Sequence, residues 1–279
     1  MKEYIRLLRV KHYIKNILVF LPLFFGTALF DVQKLCNAFL GFICFCLLSS
    51  SIYIINDYRD MEKDRNHPTK KNRPLASGSI KPQEAFLALV VCLVGVVAIS
   101  WYLRSLAGFI CIALYFALNV AYSMGIKNIP IIDIVILASG FVIRVFYGGF
   151  ISGIIVSTWL YLVVTTGSLY MGLGKRRNEL KSSTETREVL KYYSVNFLDK
   201  NMYVCVALTN VFYALWTLEF ANVGIGWTIP AFIIILMRYS LDIEGDSDGD
   251  PVEVILKDKI LIAMIILYAV CIFSMLYIF

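Results

Sequence analysis

Residues 35–78 read LCNAFLGFICFCLLSSSIYIINDYRDMEKDRNHPTKKNRPLASG, a mostly apolar run followed at residue 56 by a long polar stretch. The apolar run has the length of a helix that spans a membrane. In the polar stretch Asp57, Asp60 and Asp64 stand at positions i, i+3 and i+7, so on a helix they share one face. The cations around them are Arg59, Lys63, Arg65, Lys70, Lys71 and Arg73. This mixture suits a phosphorylated ligand that arrives with a divalent metal, although the acids and bases could also pair with one another on a solvated loop.

The composition is typical of an integral membrane protein, with 59% hydrophobic and 16% charged residues in a chain of 279. The seven cysteines form no CxxC pair and there are only two histidines, which argues against a zinc site, a disulfide framework or a histidine-based triad. The net charge of +6 is explained by membrane topology, so no nucleic acid partner is expected. Residues 1–16 are too polar and basic for a cleavable signal peptide and predict an amphipathic helix at the membrane surface.

Nine apolar runs are long enough to cross a membrane, which predicts an all-α, polytopic bundle of nine transmembrane helices. We expect a single domain over residues 1–279. Lys and Arg are concentrated before the first run, in residues 59–81 and in residues 175–200. By the positive-inside rule, the N-terminus and both long loops face the cytoplasm at the cell (inner) membrane, with the C-terminus outside. The predicted runs are residues 17–32, 35–55, 85–103, 106–123, 131–150, 154–174, 201–220, 223–242 and 259–279.

Asp133 and Arg144 lie eleven residues apart within the fifth predicted helix, about three turns and therefore on one face. A charge inside a membrane is costly unless it faces the protein interior or a wet cavity, so both side chains should point inward. Two interpretations stand side by side: a neighbouring helix satisfies these charges, or they contact a ligand.

The segment LGKRRNEL ends the sixth predicted helix and brings Lys175, Arg176 and Glu179 to the cytoplasmic boundary. A basic flank of the positive-inside type explains the two cations as well as a ligand site does, but it does not explain the glutamate. A third polar stretch, residues 242–259, opens like a calcium loop but has Lys257 at the twelfth position, so it predicts a turn-rich loop. Together with the N-terminal segment, the three stretches predict one site at the cytoplasmic boundary, reached by a soluble anionic substrate and by a lipid.

The stretch NDYRDMEKDR resembles the NDxxDxxxD signature of the UbiA superfamily of intramembrane prenyltransferases, whose nine-helix fold agrees with the predicted count. A narrower resemblance, to the decaprenyl-phosphate phosphoribosyltransferases of that superfamily, covers nearly the whole chain. It is carried by RVKHYIKN, NDYRDMEKDRNHPTKKNRPLASG, DIVILASGFVIRVFYGG, LGKRRNEL and RYSLDIEGDSDGDP. Typical prenyltransferases of the superfamily carry a second aspartate-rich motif where this chain has LGKRRNEL. That departure favours a donor with an extra phosphate, such as phosphoribosyl pyrophosphate.

The resemblance implies Mg²⁺-dependent transfer of a 5-phosphoribosyl group from phosphoribosyl pyrophosphate to a polyprenyl phosphate. Asp57 and Asp60 are expected to hold the Mg²⁺ and, together with Asp64, to be the catalytic residues. Homo-oligomerisation is left open. The expected substrate contacts are Lys15, Asn56, Arg65, Lys70, Arg73, Arg144, Lys175, Arg176 and Glu179.

Two other functions fit the same sequence. The first is ordinary prenyl transfer from a prenyl diphosphate to an aromatic or quinone-precursor acceptor, which uses the same metal and diphosphate chemistry. The second is a membrane carrier without chemistry, although a transporter should carry more polar interruptions near mid-membrane than this chain does.

Overall fold

The structure is a computed structural model that describes residues 2–181, 187–219, 224–245 and 249–278. In these ranges the regular structure is helical and contains no strand, which confirms the all-α prediction for the part of the chain described. Asp246 and Asp248 of the calcium-like stretch lie outside it. The α-helices, α1 to α12 in chain order, are Lys2–Leu7, Leu21–Phe25, Val32–Arg59, Met61–Arg65, Pro82–Leu103, Leu106–Met124, Ile132–Ser152, Thr158–Lys181, Val195–Leu218, Ile229–Glu244, Pro251–Lys257 and Lys259–Tyr277.

Seven helical segments in the described ranges are long and apolar enough to cross a membrane, so the protein is a multi-pass membrane protein, but the predicted count of nine is not confirmed. Of the two remaining predicted runs, residues 154–174 fall largely in α8. This helix is long enough, but it mixes Thr, Ser, Gly and charged residues with the apolar ones, and many of its polar side chains are buried in the protein. The seven segments are Val32–Arg59, Pro82–Leu103, Leu106–Met124, Ile132–Ser152, Val195–Leu218, Ile225–Glu244 and Lys259–Tyr277.

The other remaining run, residues 17–32, is not one α-helix. A 3-10 helix, Val10–Phe20, leads into the five-residue α2. Pro22 lies in the first turn of α2, where the absence of its backbone N–H removes no hydrogen bond of that helix. The chain then turns before Asp31, whose side chain accepts the backbone N–H of Lys34 and caps α3. The apolar run is therefore divided by a change of helix type and a cap.

The N-terminal segment also differs from the predicted surface helix, because residues 9–20 run antiparallel along α3. Its contacts descend α3 in steps: Arg9 pairs with Asp57, Tyr13 with Ser50, Asn16 with Cys46 and Phe20 with Phe42. An eleven-residue 3-10 helix is about 22 Å long, since each residue rises about 2.0 Å. The segment therefore starts beside the polar end of α3 and runs along about half of that helix.

The described chain forms two compact units, and each is treated by itself. The first contains Met1–Leu23, Ala28–Ser123 and Arg144–Ile154. In it α3 packs against α5 and against the 3-10 helix. Below the polar stretch lies a buried apolar cluster of Leu7, Ile54, Leu75, Ile80 and Ala85, which anchors the loop after α4 to the helices.

The second unit contains Phe24–Thr27, Met124–Ile143 and Ile155–Phe279. Its α8 packs along α9, and glycines allow the close approach of neighbouring side chains at the end of α8. A Cβ at Gly174 would lie 2.8 Å from Ile243 Cδ1. The surrounding core includes Ile134, Tyr170, Leu173, Leu198 and Ile243. The single domain over residues 1–279 stays a prediction.

Gly148 generates a prediction about stability in the first unit. A Cβ built at this residue would lie 2.0 Å from the backbone oxygen of Val19, and a backbone atom cannot rotate away as a side chain can. We expect Gly148→Ala to lower the free energy of unfolding by about 2–3 kcal/mol, the upper part of the range for overpacking. Thermal unfolding in detergent measures this.

The matched control is Gly167→Ala, because its Cβ would meet only Thr209 Cγ2 at an ordinary 3.8 Å. Alanine is favoured over glycine in a helix by up to about 1 kcal/mol, so the control should be neutral or stabilising. Equal unfolding temperatures for the Gly148 variant and the wild type would contradict the close approach.

Candidate active site

The predicted carboxylates lie where α3 ends and α4 begins. Asp57 is on the last turn of α3, Asp60 follows its final residue, and Asp64 is on α4. Asp60 leaves helical geometry, with φ −89° and ψ 3°, so one continuous helix does not carry all three. The backbone N–H of Asp64 nevertheless donates to the Asp60 carbonyl at 2.9 Å, which keeps the turn compact. Asp57 and Asp64 are buried, and Asp60 is partly exposed.

Two arginines bind these carboxylates, and we call Arg9, Asp57, Asp64 and Arg73 the carboxylate cluster. Arg9 Nη2 donates to Asp57 Oδ1 at 2.6 Å. Arg73 Nη1 lies 2.6 Å from Asp64 Oδ2 and 3.2 Å from Asp57 Oδ1, so one nitrogen lies between the two carboxylates. The side chain of Asp57 is only 2% exposed, and a carboxylate so deeply buried is stable only beside opposite charge.

Sequence reasoning missed Arg9 as a site residue and counted it only among the cations of the cytoplasmic flank. Its backbone is left-handed, with φ 51° and ψ 48°, where the chain passes from α1 to the 3-10 helix. Its guanidinium lies 4.5 Å from the centroid of the Tyr53 ring, a cation–π contact that fixes its direction. The signal that could have found it is its position at the start of RVKHYIKN, one of the segments that carry the resemblance.

The other predicted contacts of the first unit are arranged around different partners. Asn56 Oδ1 accepts from Ser123 Oγ at 3.2 Å, and the exposed Arg65 pairs with Glu62 at 2.8 Å. Lys15 and Lys70 are half-buried. Among the described side-chain contacts of the first unit, Asp57, Asp64 and Arg73 are the members of the predicted set that pair with one another.

Arg144 is buried, as predicted, and is held by a polar network of the first unit. Its Nε donates to Asn16 Oδ1 at 2.7 Å, and its Nη2 donates to the Tyr115 hydroxyl at 2.7 Å. The guanidinium also lies over the Phe45 and Tyr115 rings. Neighbouring side chains therefore satisfy the buried Arg144 guanidinium. Contact between Arg144 and a substrate stays a prediction.

The carboxylate cluster can be tested for its fit to a metal. Within the described ranges no three His, Cys, Asp or Glu side chains lie close enough together to hold one by themselves. Mg²⁺ needs fewer protein ligands than that, because it commonly binds one or two carboxylates and completes its coordination shell with water and substrate phosphates. Arg73 already places a positive nitrogen between two carboxylate oxygens. The donor set therefore fits a divalent cation that arrives with a phosphorylated ligand.

A second cluster lies in the second unit, around the end of α8, and we call it the α8 network. Arg176 is fully buried, with its Nε 2.5 Å from Asp133 Oδ2 and its Nη1 2.5 Å from Glu179 Oε2. Arg187 approaches the other oxygen of Glu179 at 3.5 Å. The Tyr193 hydroxyl donates to Asp133 Oδ1 at 2.6 Å, and burial together with this bond raises the pKa of Tyr193 to about 12. Asp133 is thus satisfied by neighbouring side chains, the first of the two interpretations.

Lys175 and Arg177 flank Arg176 but have other partners. Lys175 is 25% exposed on its side chain, and its Nζ lies 3.6 Å from Asp250 Oδ2. Arg177 Nε lies 2.5 Å from Asp199 Oδ1. Lys175 can therefore bind a soluble ligand after breaking one weak ion pair with Asp250. Arg176 is already bound to two carboxylates and is not available in this way.

The sequence profile of the UbiA prenyltransferase family matches residues 18–255. This chain belongs to that family. A decaprenyl-phosphate phosphoribosyltransferase of Corynebacterium glutamicum is 33% identical, with 98% of this chain and 86% of the relative covered. One of Mycolicibacterium smegmatis is 35% identical over 92% of this chain and 87% of the relative. A solved UbiA homolog from Archaeoglobus fulgidus bound to GPP and Mg²⁺ shares the fold, with a TM-score of 0.74 at 21% identity and 98% and 99% of the chains covered.

The α8 network generates a prediction about this UbiA family member. Arg176→Gln leaves Asp133 and Glu179 buried without their shared cation, and breaking such a pair costs about 3–5 kcal/mol. We expect a correspondingly large fall in the thermal unfolding temperature in detergent. Lys257→Gln is the control and should cost less than about 1 kcal/mol, because both side chains of its ion pair with Glu253 are exposed, at 64% and 49%.

A second substitution separates lost charge balance from lost packing. In the double variant Asp133→Asn, Arg176→Gln, one buried carboxylate is removed with its cation, so part of the lost stability should return. A double variant that is less stable than Arg176→Gln alone would contradict the view that Arg176 stabilises by balancing these charges.

Proposed function

We propose that this chain transfers the 5-phosphoribosyl group of phosphoribosyl pyrophosphate to a polyprenyl phosphate and releases pyrophosphate. The observation that carries the proposal is the cationic end of α8, where Lys175 is half-buried beside the fixed Arg176 in place of a second aspartate-rich motif. The names of the C. glutamicum and M. smegmatis relatives support the same reaction, because each covers more than nine tenths of this chain.

We place the protein in the cell (inner) membrane, with the N-terminus and both polar loops in the cytoplasm. We also propose nine membrane crossings, which are the seven apolar segments together with residues 10–25 and α8. The antiparallel run of residues 9–20 supports the extra first crossing, because Arg9 starts at the same end of α3 as Asp57. The 3-10 helix and α2 together measure about 30 Å, the thickness of the hydrocarbon layer.

Each predicted site residue has a role in this proposal. Asp57 and Asp60 would hold Mg²⁺, with help from Asn56 and Asp64, and the metal would supply positive charge for the pyrophosphate. Arg9 and Arg73 orient the carboxylates and offer charge to the leaving group. Arg176 is a positioning residue that fixes the end of α8, and Glu179 and Arg144 keep their predicted places among the substrate-binding residues. The cations assigned to the substrate phosphates are Lys15, Arg65, Lys70, Arg73 and Lys175.

The reaction follows from the chemistry of the two substrates. An anionic oxygen of the lipid phosphate attacks C1 of the ribose from the face opposite the pyrophosphate. The bond from C1 to the pyrophosphate oxygen breaks, its electron pair leaves with the pyrophosphate, and a new bond joins C1 to the lipid oxygen. The attacking oxygen is already ionised, so no strong general base is needed. Charge stabilisation of the leaving group and alignment of the two substrates supply the catalysis.

Radiolabelled phosphoribosyl pyrophosphate and a polyprenyl phosphate test the proposal with purified protein. We expect labelled lipid from the wild type in the presence of Mg²⁺, and a 10²–10³-fold lower rate for Asp57→Asn and for Asp60→Asn, the size typical of losing one charge-stabilising group. Glu62→Gln is the control, because this exposed carboxylate contacts only Arg65 in the bonds described. If the protein instead forms product from a prenyl diphosphate and no labelled lipid, the proposal is replaced by prenyl transfer. If neither donor gives a product, the remaining alternative is a membrane carrier without chemistry.

Lys175 gives a sharper prediction about the donor. Lys175→Gln removes one phosphate contact that is present in the ground state and in the transition state alike. We therefore expect the KM for phosphoribosyl pyrophosphate to rise about tenfold while kcat changes by less than about twofold. Lys181→Gln, at the exposed last residue of the same helix, is the matched control and should leave both constants unchanged. A fall in kcat without a change in KM would contradict the assignment.

A further inference from the structure

The first unit contains a cleft that the proposed reaction does not use. This open cleft has a volume of about 650 Å³ and lies between the beginning of α3 and the end of α5. Gln33 and Asn37 line it from α3, and Trp101, Tyr102 and Arg104 line it from the end of α5. An exposed cation, two amides and two aromatic rings therefore face one space, which is a set of side chains suited to a polar, anionic group with an apolar attachment.

The cleft lies at the membrane boundary opposite the carboxylate cluster. Both α3 and α5 are long and apolar enough to cross a membrane, and the cleft lies at one end of each. Asn37 is twenty residues from Asp57 along α3, a separation of about 30 Å at 1.5 Å per residue, equal to the hydrocarbon thickness. Trp101 is 81% exposed and Tyr102 is 67% exposed, as expected for aromatic residues at a membrane interface.

The backbone of Arg104 favours a role for its side chain. Arg104 ends α5 with φ 49° and ψ 30°, a left-handed conformation that glycine adopts with far less strain. Its backbone N–H donates to the carbonyl of Ser100 at 3.2 Å, which would serve a glycine equally well. A residue other than glycine at such a position carries strain, and strain of this kind is a basis for a hypothesis of function.

The amides of the cleft are held in fixed directions. Asn37 Nδ2 donates to the carbonyl of Ile151 at 3.1 Å, and Gln33 Nε2 donates to Asn37 Oδ1 at 3.2 Å. The nearest carboxylate in sequence, Asp31, caps α3 and lies 3.6 Å from Lys34 Nζ, so its charge is balanced. The positive end of the α3 dipole is offset by the negative end of the α5 dipole, so Arg104 sets the sign of the potential in the cleft.

We propose that this cleft binds the headgroup of an anionic phospholipid, with Arg104 on the phosphate and the amides of Gln33 and Asn37 on the headgroup hydroxyls. Trp101 and Tyr102 flank the glycerol backbone, and the acyl chains lie along the apolar surface of α5, where Val94 and Val97 are exposed. A lipid is favoured over a soluble phosphate because interfacial aromatics border the cleft at the depth where phospholipid headgroups lie.

Native mass spectrometry tests the proposal on the full chain in a neutral detergent, with phosphatidylglycerol or phosphatidylcholine added. The wild type should retain one molecule of phosphatidylglycerol in preference to phosphatidylcholine. Loss of one charge-assisted contact should weaken this binding about tenfold in Arg104→Gln. Arg104→Gly should bind equally weakly and should unfold at the wild-type temperature or above, because glycine relieves the left-handed strain. That variant therefore separates loss of the guanidinium from loss of the fold.

Two controls decide the source of any binding. Lys34→Gln removes one positive charge near the same end of α3 but outside the cleft, and should change binding by less than twofold. Inorganic phosphate at millimolar concentration should not displace the lipid. The proposal is overturned if both Arg104 variants bind phosphatidylglycerol as tightly as the wild type, if Lys34→Gln is as damaging as they are, or if free phosphate occupies the site in place of lipid.

Discussion

A charged side chain that is removed from water needs close polar partners in place of its lost hydration, and in both charged clusters these partners carry the opposite charge. In the first unit this constraint ties Asp57 to Arg9 and Arg73, so a residue near the N-terminus and a residue of the loop after α4 meet at the end of α3. The pairing also fixes the direction of the N-terminal segment, because Arg9 at one end of it leads to Phe20 beside Phe42 farther down α3.

The same constraint acts differently in the second unit. Arg176 has no exposed surface and is balanced by Asp133 and Glu179, while Tyr193 completes the shell of Asp133. Such an arrangement is rigid, since moving any member leaves a charge uncompensated in a medium of low dielectric constant. Lys175 is held only by Asp250 at 3.6 Å and is partly exposed. A fixed arginine beside an adaptable lysine is consistent with a helix end that is positioned by one cation and binds an anionic ligand with the next.

Part of the candidate site could be predicted from the spacing of its residues. The carboxylates of NDYRDMEKDR were expected to act together, and Asp57 and Asp64 do meet at Arg73, because the turn at Asp60 is compact and keeps them on one side. Arg9 could not be found in this way, since 48 residues separate it from Asp57 and no local pattern connects them. The prediction that Arg176 binds a phosphate directly also took no account of Asp133, which lies 43 residues away in sequence.

The sequence by itself determined the helical class, the membrane-spanning segments with a uniform apolar character and the places where charge accumulates, because these depend on local composition and periodicity. Tertiary structure alone decided what residues 10–25 and α8 become. The first form a 3-10 helix along α3 followed by the short α2, and α8 is a helix whose polar residues are buried by neighbours. Tertiary structure also decided the partner of each charge. Partner choice depends on distances between segments far apart in sequence, which composition and periodicity do not encode.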